Sequence, residues 1–273
     1  MICDDECTSS TCDNGPRILP WAQDYDDGIN CEDETLHAFT AVGFKGSIIH
    51  VNDLIANPKM MNQFQVLAFP GGFSYGDDTG SGNAMANKIK NNLYEDILKF
   101  LSKDKLMIGI CNGCQILVNL GIVPALENTQ RQVALVENDT AIYQCRWINL
   151  KIHNIKSPWL KNIKYMHLPV AHQEGKFLVS NDVKKELVKN KLIAGQYVDN
   201  NNMLAMKKFP FNPNGSDLDI AALTNKKGNI LAMMPHPERA YYFFHKPDWQ
   251  NKEMKSEYAD GYKIFKNASE YFK

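Results

Sequence analysis

The sequence predicts an α/β fold: a three-layer sandwich with a mostly parallel central sheet and an antiparallel extension. Three observations carry this expectation. Short apolar runs alternate with segments of helical spacing through the first part of the chain, as in a parallel sheet covered on both faces. One run, Leu106 to Ile110, passes directly into a glycine-flanked turn and then a helical stretch. Beyond it the chain is strand-rich, with a hairpin signal at Asn225-Lys226-Lys227-Gly228.

Taken in order, residues 1 to 16 are polar and acidic with three cysteines and read as a flexible tail. The remainder, 17 to 273, reads as a single domain with insertions, within the usual range for α/β chains. Ile18-Leu19 begins a first strand that Pro20 weakens. Glu32 to Val42 is a helix, with Asn30 as N-cap and Gly43 just past its end. Ser47 to Val51 and Gln65 to Phe69 are strands. Pro70 to Gly82 is a glycine-rich loop, and Asn83 to Leu101 has helical spacing. Leu106 to Ile110 is a strand and Asn112 to Leu120 its helix, stopped by Gly121. Gln132 to His153 and Lys164 to Val170 look like strands with few helices between them. Asp219 to Leu223 and Asn229 to Met233 flank the hairpin, and Lys255 to Phe272 is a C-terminal helix.

Bulk properties narrow the function. Hydrophobic residues make up 44% of the 273, enough for a sizeable core. The net charge of −1 gives no basic field for nucleic acid or an anionic membrane. No apolar run approaches the roughly 20 residues that cross a bilayer, and no signal peptide is legible. The cysteine count, seven, is odd in a chain that is not small, which argues against a disulfide scaffold and for a reducing cytoplasm.

Gly109-Ile110-Cys111-Asn112-Gly113 is the most informative stretch. It is the G-x-nucleophile-x-G elbow with cysteine at the nucleophile position. Glycines on either side let strand and helix approach without a clashing Cβ. The thiol then stands at a helix N-terminus, where N–H groups and the helix dipole favour thiolate. His236 and Glu238 follow another apolar run, in Met234-Pro235-His236-Pro237-Glu238-Arg239. A thiolate needs a proton acceptor, and the imidazole needs a carboxylate to fix its tautomer. Cys111, His236 and Glu238 thus supply nucleophile, base and orienting acid. The glycines of Pro70-Gly71-Gly72-Phe73 let backbone approach a substrate, so an N–H there can join the N–H of Asn112 in an oxyanion hole.

Competing readings weigh less. Cys111 and Cys114 form a C-x-x-C, a redox or half-metal pattern. No second C-x-x-C completes a zinc ribbon, so Cys114 is expected as a packed small hydrophobe. Cys3, Cys7 and Cys12 offer no tetrahedral pair, and no metal site is expected. His37, His50, His153, His167 and His245 are expected to be structural or surface residues, and Lys184 to Lys191 a solvated face. A Cys-elbow stress or chaperone protein is the reading from another class, and it needs no late His-Pro-Glu.

Four segments together resemble the class I (triad) glutamine amidotransferases: Phe69-Pro70-Gly71-Gly72-Phe73-Ser74-Tyr75-Gly76-Asp77, Gly109 to Gln115, Pro169-Val170-Ala171-His172-Gln173-Glu174-Gly175, and Pro235 to Arg239. Within that group they are similar to the glutaminase-subunit family of phosphoribosylformylglycinamidine synthase, as is Gly28-Ile29-Asn30-Cys31-Glu32. The resemblance implies that Cys111 forms a γ-glutamyl thioester with L-glutamine, with His236 as proton carrier and Glu238 orienting it. It implies that Gly72 and Asn112 hold the oxyanion, and that Gly71, Gln115 and His172 line the glutamine pocket. It also implies a large synthetase subunit that carries ATP and Mg and receives the ammonia, and a small bridging subunit. No cofactor is expected in this chain. A glutaminase feeding a GMP or CTP synthetase is the alternative. Departures from the family pattern are the polar stretch Ile18 to Asp27, Gln173 where glycine is usual, and long segments at Pro124 to Lys151 and Asn200 to Ser216.

Overall fold

The computed structural model describes residues 17–22, 30–77, 80–126, 130–153 and 155–273. The expected tail, with Gly28 and Ile29, lies outside these residues.

A first strand does form, β1 (Arg17–Ala22), in spite of Pro20. Arg17 O accepts from Gln65 N at 2.8 Å and Ile18 O from Ser47 N at 3.3 Å, so alternate residues face opposite neighbours. Pro20 therefore faces the same side as Ile18. There β2 (Lys45–Gly46) and β3 (Ile49–His50) leave a gap in the pairing, and the missing N–H costs no ladder bond. Between β1 and β2 runs α1 (Glu32–Thr40). Its N-cap is Cys31, not Asn30, and it has no side-chain cap bond. The strand expected to continue through Val51 stops at His50. The imidazole Nδ1 of His50 accepts from Asn52 N at 3.1 Å and starts α2 (Val51–Ala56).

β4 (Val66–Phe69) is buried throughout. The helical stretch after the glycine loop divides into α3 (Asn83–Asn92) and α4 (Tyr94–Ser102), broken at Leu93 with φ −130°. Asn92 Nδ2 bonds back to Lys88 O at 2.7 Å, the local competition that ends helices at asparagine. β5 (Leu106–Ile110) and α5 (Asn112–Asn119) form the elbow unit.

The second half holds β6 (Ala134–Val136), β7 (Gln144–Ile152), β8 (Tyr165–His172) and β9 (Lys176–Leu178). α6 (Asn181–Lys189) and β10 (Ile193–Val198) follow, neither expected from the sequence. β11 (Ile220–Thr224) and β12 (Ile230–Met233) make the expected hairpin. α7 (Tyr262–Tyr271) is shorter than expected. It begins after Gly261, where a Cβ would overlap Pro237 O.

The main sheet is ten-stranded, in the order β2-β1-β4-β5-β12-β11-β10-β7-β8 with β3 beside β1. Pairing is parallel from β2 to β12 and antiparallel from β12 to β8. This is the predicted α/β sheet with its antiparallel extension. α5 packs over β4, β5 and β12. A Cβ at Gly109 would stand 2.5 Å from Gly113 O, so the bare glycine sets how closely helix and sheet approach. α1 and α7 pack together through the perpendicular rings of Phe39 and Phe265, 4.9 Å apart, with Trp159 on the same cluster. Burying aromatic rings of this size contributes about 2–3 kcal/mol each. β4, β5 and β12 are adjacent, so their carboxyl ends bring Pro70-Gly71-Gly72, Cys111 and the His236 segment to one edge. Ligands of open α/β sheets bind at such an edge. Among the described residues, no helix is long and apolar enough to cross a membrane.

Candidate active site

Cys111 leaves β5 with φ 52° and ψ −106°, a conformation that non-glycine residues adopt only under constraint. The constraint is visible on both sides. Cys111 N donates to Met233 O at 2.8 Å, which ties the elbow to β12, and Gly113 N donates to Pro70 O at 3.1 Å. A Cβ on Gly113 would overlap Phe69 O. The strained backbone thus presents Cys111, itself buried, at the N-cap of α5. Its Sγ lies 3.6 Å from Ala171 O.

His236 arrives from the end of β12, and its N–H donates to Pro169 O at 2.9 Å. Its Nδ1 meets Glu238 Oε1 at 2.5 Å, and both side chains are buried. Burial alone would lower the His236 pKa. The Glu238 carboxylate, followed by the nearby Cys111 and Cys31 side chains, reverses that and pushes it well up. His236 therefore favours the imidazolium form beside the Cys111 side chain.

The fold brings the expected triad together. The point where a Cβ on Gly71 would stand is 2.7 Å from His236 Cε1 and 3.3 Å from Cys111 Cβ. Gly71 thus backs the triad, where any side chain would displace the imidazole. Gly72, at φ 148°, instead lines a cavity of about 220 Å³ with Phe73, Cys111, Gln115, His172 and Glu174. Asn112 follows Cys111 as the first residue of α5.

Gln115 is held from both ends. Its Nε2 donates to Glu174 O at 2.6 Å, and its Oε1 accepts from Asn112 Nδ2 at 2.9 Å. His172 is buried with neither ring nitrogen partnered. Burial, reinforced by the charge on His236, holds its pKa down at about 3, so it is neutral. Its loop is buttressed by the two long segments. Asn138 Nδ2 donates to His172 O at 3.0 Å, and Asn214 Nδ2 donates to Gly175 O at 2.7 Å. The departure at Gln173 is accommodated at the surface, where its Nε2 donates to Glu137 Oε1 at 3.1 Å. Cys114 is fully buried on α5, with its thiol pushed up by burial and by Cys111.

Sequence reasoning quoted Cys31 and Arg239 within motifs but gave neither a role. Arg239 Nη2 donates to Cys31 Sγ at 2.8 Å, and Arg239 Nε lies 4.0 Å from Glu238 Oε1. Among the described residues, Cys31, His236 and Glu238 place donor atoms within 4.8 Å of one another. His236 Nδ1 and Glu238 Oε1 are committed to each other, and a guanidinium covers Cys31. The set is built for proton handling more than for holding a cation. No spacing in the sequence signals the contact, since the two residues come from opposite ends of the chain.

A family profile described as a CobB/CobQ-like glutamine amidotransferase domain matches residues 25–272. The phosphoribosylformylglycinamidine synthase subunit PurQ of Methanococcus maripaludis is 45% identical, over 90% of this chain and 94% of that one. The PurQ subunit of Dehalococcoides mccartyi is 40% identical, over 88% and 92%. Among solved structures, a chain of PurLQS from Thermotoga maritima matches with a TM-score of 0.69 at 28% identity, over 95% of this chain and 100% of that one.

Proposed function

This chain belongs to the CobB/CobQ-like glutamine amidotransferase family, among the relatives of the PurQ subunits, and from that premise we propose that it is the glutaminase subunit of a phosphoribosylformylglycinamidine synthase. The observation that supports the chemistry is Cys111 on a strained elbow, beside a buried His236–Glu238 pair on the neighbouring strand end.

Cys111 Sγ attacks the carboxamide carbon of L-glutamine. The N–H groups of Gly72 and Asn112 receive the developing oxyanion. His236 gives its Nε2 proton to the leaving nitrogen, ammonia departs, and a γ-glutamyl thioester remains on Cys111. His236 then takes a proton from water as it attacks the thioester, and glutamate leaves with the thiol restored. Glu238 holds the tautomer and the imidazolium charge throughout. Gln115 and His172 shape the pocket around the substrate.

The ammonia passes to a large synthetase subunit that binds ATP and Mg and converts formylglycinamide ribonucleotide to formylglycinamidine ribonucleotide, with a small third subunit bridging the two. This chain carries no cofactor in that scheme. The free thiols of Cys31, Cys111, Cys114 and Cys145 support a reducing, cytoplasmic setting. The test is labelling with a glutamine-analogue electrophile. Modification of Cys111 that glutamine protects against is expected. Labelling that ignores glutamine would overturn the reading.

A further inference from the structure

The His236 imidazole has a second sulfur beside it. Cys31 is fully buried at the N-cap of α1. Its Sγ lies 3.2 Å from the point where a Cβ on Gly71 would stand, the same point that His236 Cε1 and Cys111 Cβ approach. Two sulfur-bearing side chains thus converge on one edge of the ring, and Gly71 puts nothing between them. Nδ1 is committed to Glu238. Nε2 is buried with no hydrogen-bond partner, and Cys31 Sγ lies within 4.8 Å of a His236 ring nitrogen. Behind Cys31, the Arg239 guanidinium donates to the same sulfur at 2.8 Å.

We propose that Cys31 is a positioning residue for glutamine hydrolysis: its sulfur, held by Arg239, is a second acceptor that keeps His236 charged and its Nε2 edge aimed at Cys111. This rests on the triad reading above. Cys31 is not a second nucleophile. Its backbone is unstrained, with φ −118°, and burial pushes its thiol pKa up, against the opposing influence of the neighbouring His236. The sulfur takes up charge density when His236 is an imidazolium, since a hydrogen bond to the charged form favours that form. The other titratable groups facing His236 are Glu238 and Arg239 from its own segment, Cys111 from the elbow, His172 on β8, and Tyr143 just before β7. Of these, Arg239 is the one that donates to Cys31, and serine keeps an acceptor for it.

The test uses the full chain and compares Cys31→Ala, Cys31→Val and Cys31→Ser with the parent. Valine refills the volume without an acceptor, and serine restores one. The primary readout is the rate of Cys111 alkylation by iodoacetamide against pH, with the site read by peptide mass spectrometry. It needs no glutamine and no partner. In the parent, the upper limb reports loss of the His236 proton. We expect Ala and Val to move that limb down by about 0.5 pH unit or more, while Ser keeps it within about 0.2. Above the new limb, kcat for glutamate release falls about threefold or more, with KM within about twofold. Unchanged limbs in Ala and Val overturn the role of Cys31. So does an equal shift in all three variants that tracks their melting temperatures, because that is packing alone. A parent profile with no limb at all would instead contradict the triad.

Discussion

Glu238 Oε1 and His236 Nδ1 meet at 2.5 Å with both side chains out of water. A carboxylate this close fixes which nitrogen carries the proton and leaves Nε2 for the reaction. Glu238→Gln keeps the shape and removes the charge. It is expected to lower kcat by about 10²–10⁴-fold with a small change in KM, measured by steady-state glutamate release.

The same pair sets a pH dependence of stability. The folded state raises the His236 pKa despite burial, chiefly through Glu238. A raised group stabilises fully below its unfolded value, about 6.5, and loses that contribution as pH rises through the folded value. The stability advantage of the parent over His236→Gln should therefore shrink from about pH 6 to about pH 9. Urea midpoints at the two pH values measure it.

Asp217 gives the opposite sign. Burial pushes its pKa up, but Lys207, the Val179 N–H and Lys184 outweigh burial and hold it at about 2, below the ordinary 3.8. Its contribution is present above 3.8 and is lost as pH falls through 2. Asp217→Asn should cost about 1–3 kcal/mol at neutral pH and little near pH 2, as read by denaturant titration.

Gly113 cannot carry a side chain, because a Cβ there would overlap Phe69 O. Gly113→Ala is expected to cost about 3 kcal/mol or more and to remove activity by moving Cys111. A melting curve and an alkylation rate separate the two effects.

His172 is held neutral at all working pH values and lines the cavity beside Cys111. His172→Gln should raise KM for glutamine about tenfold, the worth of one hydrogen bond to substrate. The limbs of the pH–rate profile should stay in place. A shifted limb would instead give His172 a share in the proton transfer.

The parts legible in the sequence are those where local pattern and fold agree. β5 is an unbroken apolar run between a lysine and the elbow, and its bounds match the expectation. The β11–β12 hairpin follows from its turn residues. β10 is harder to read because the polar Gln196 interrupts its apolar run, although every residue is buried between β11 and β7. Lys184 to Lys191 reads as a solvated face because most of its residues are charged, and Leu187 is the one buried residue of α6; Ser180, which accepts from Val183 N, is the signal for the helix. At the site, the residue types of the triad were readable, but the Cys31–Arg239 contact was not. It exists only because α1 and the end of β12 meet across the sheet edge.

The most direct test is glutamate release from glutamine by the purified chain, alone and then with its synthetase partner, substrate and ATP, with Cys111→Ala as control. Release that rises in the complex and vanishes in the variant is the expected result. Release that never appears, or that survives Cys111→Ala, would contradict the triad account.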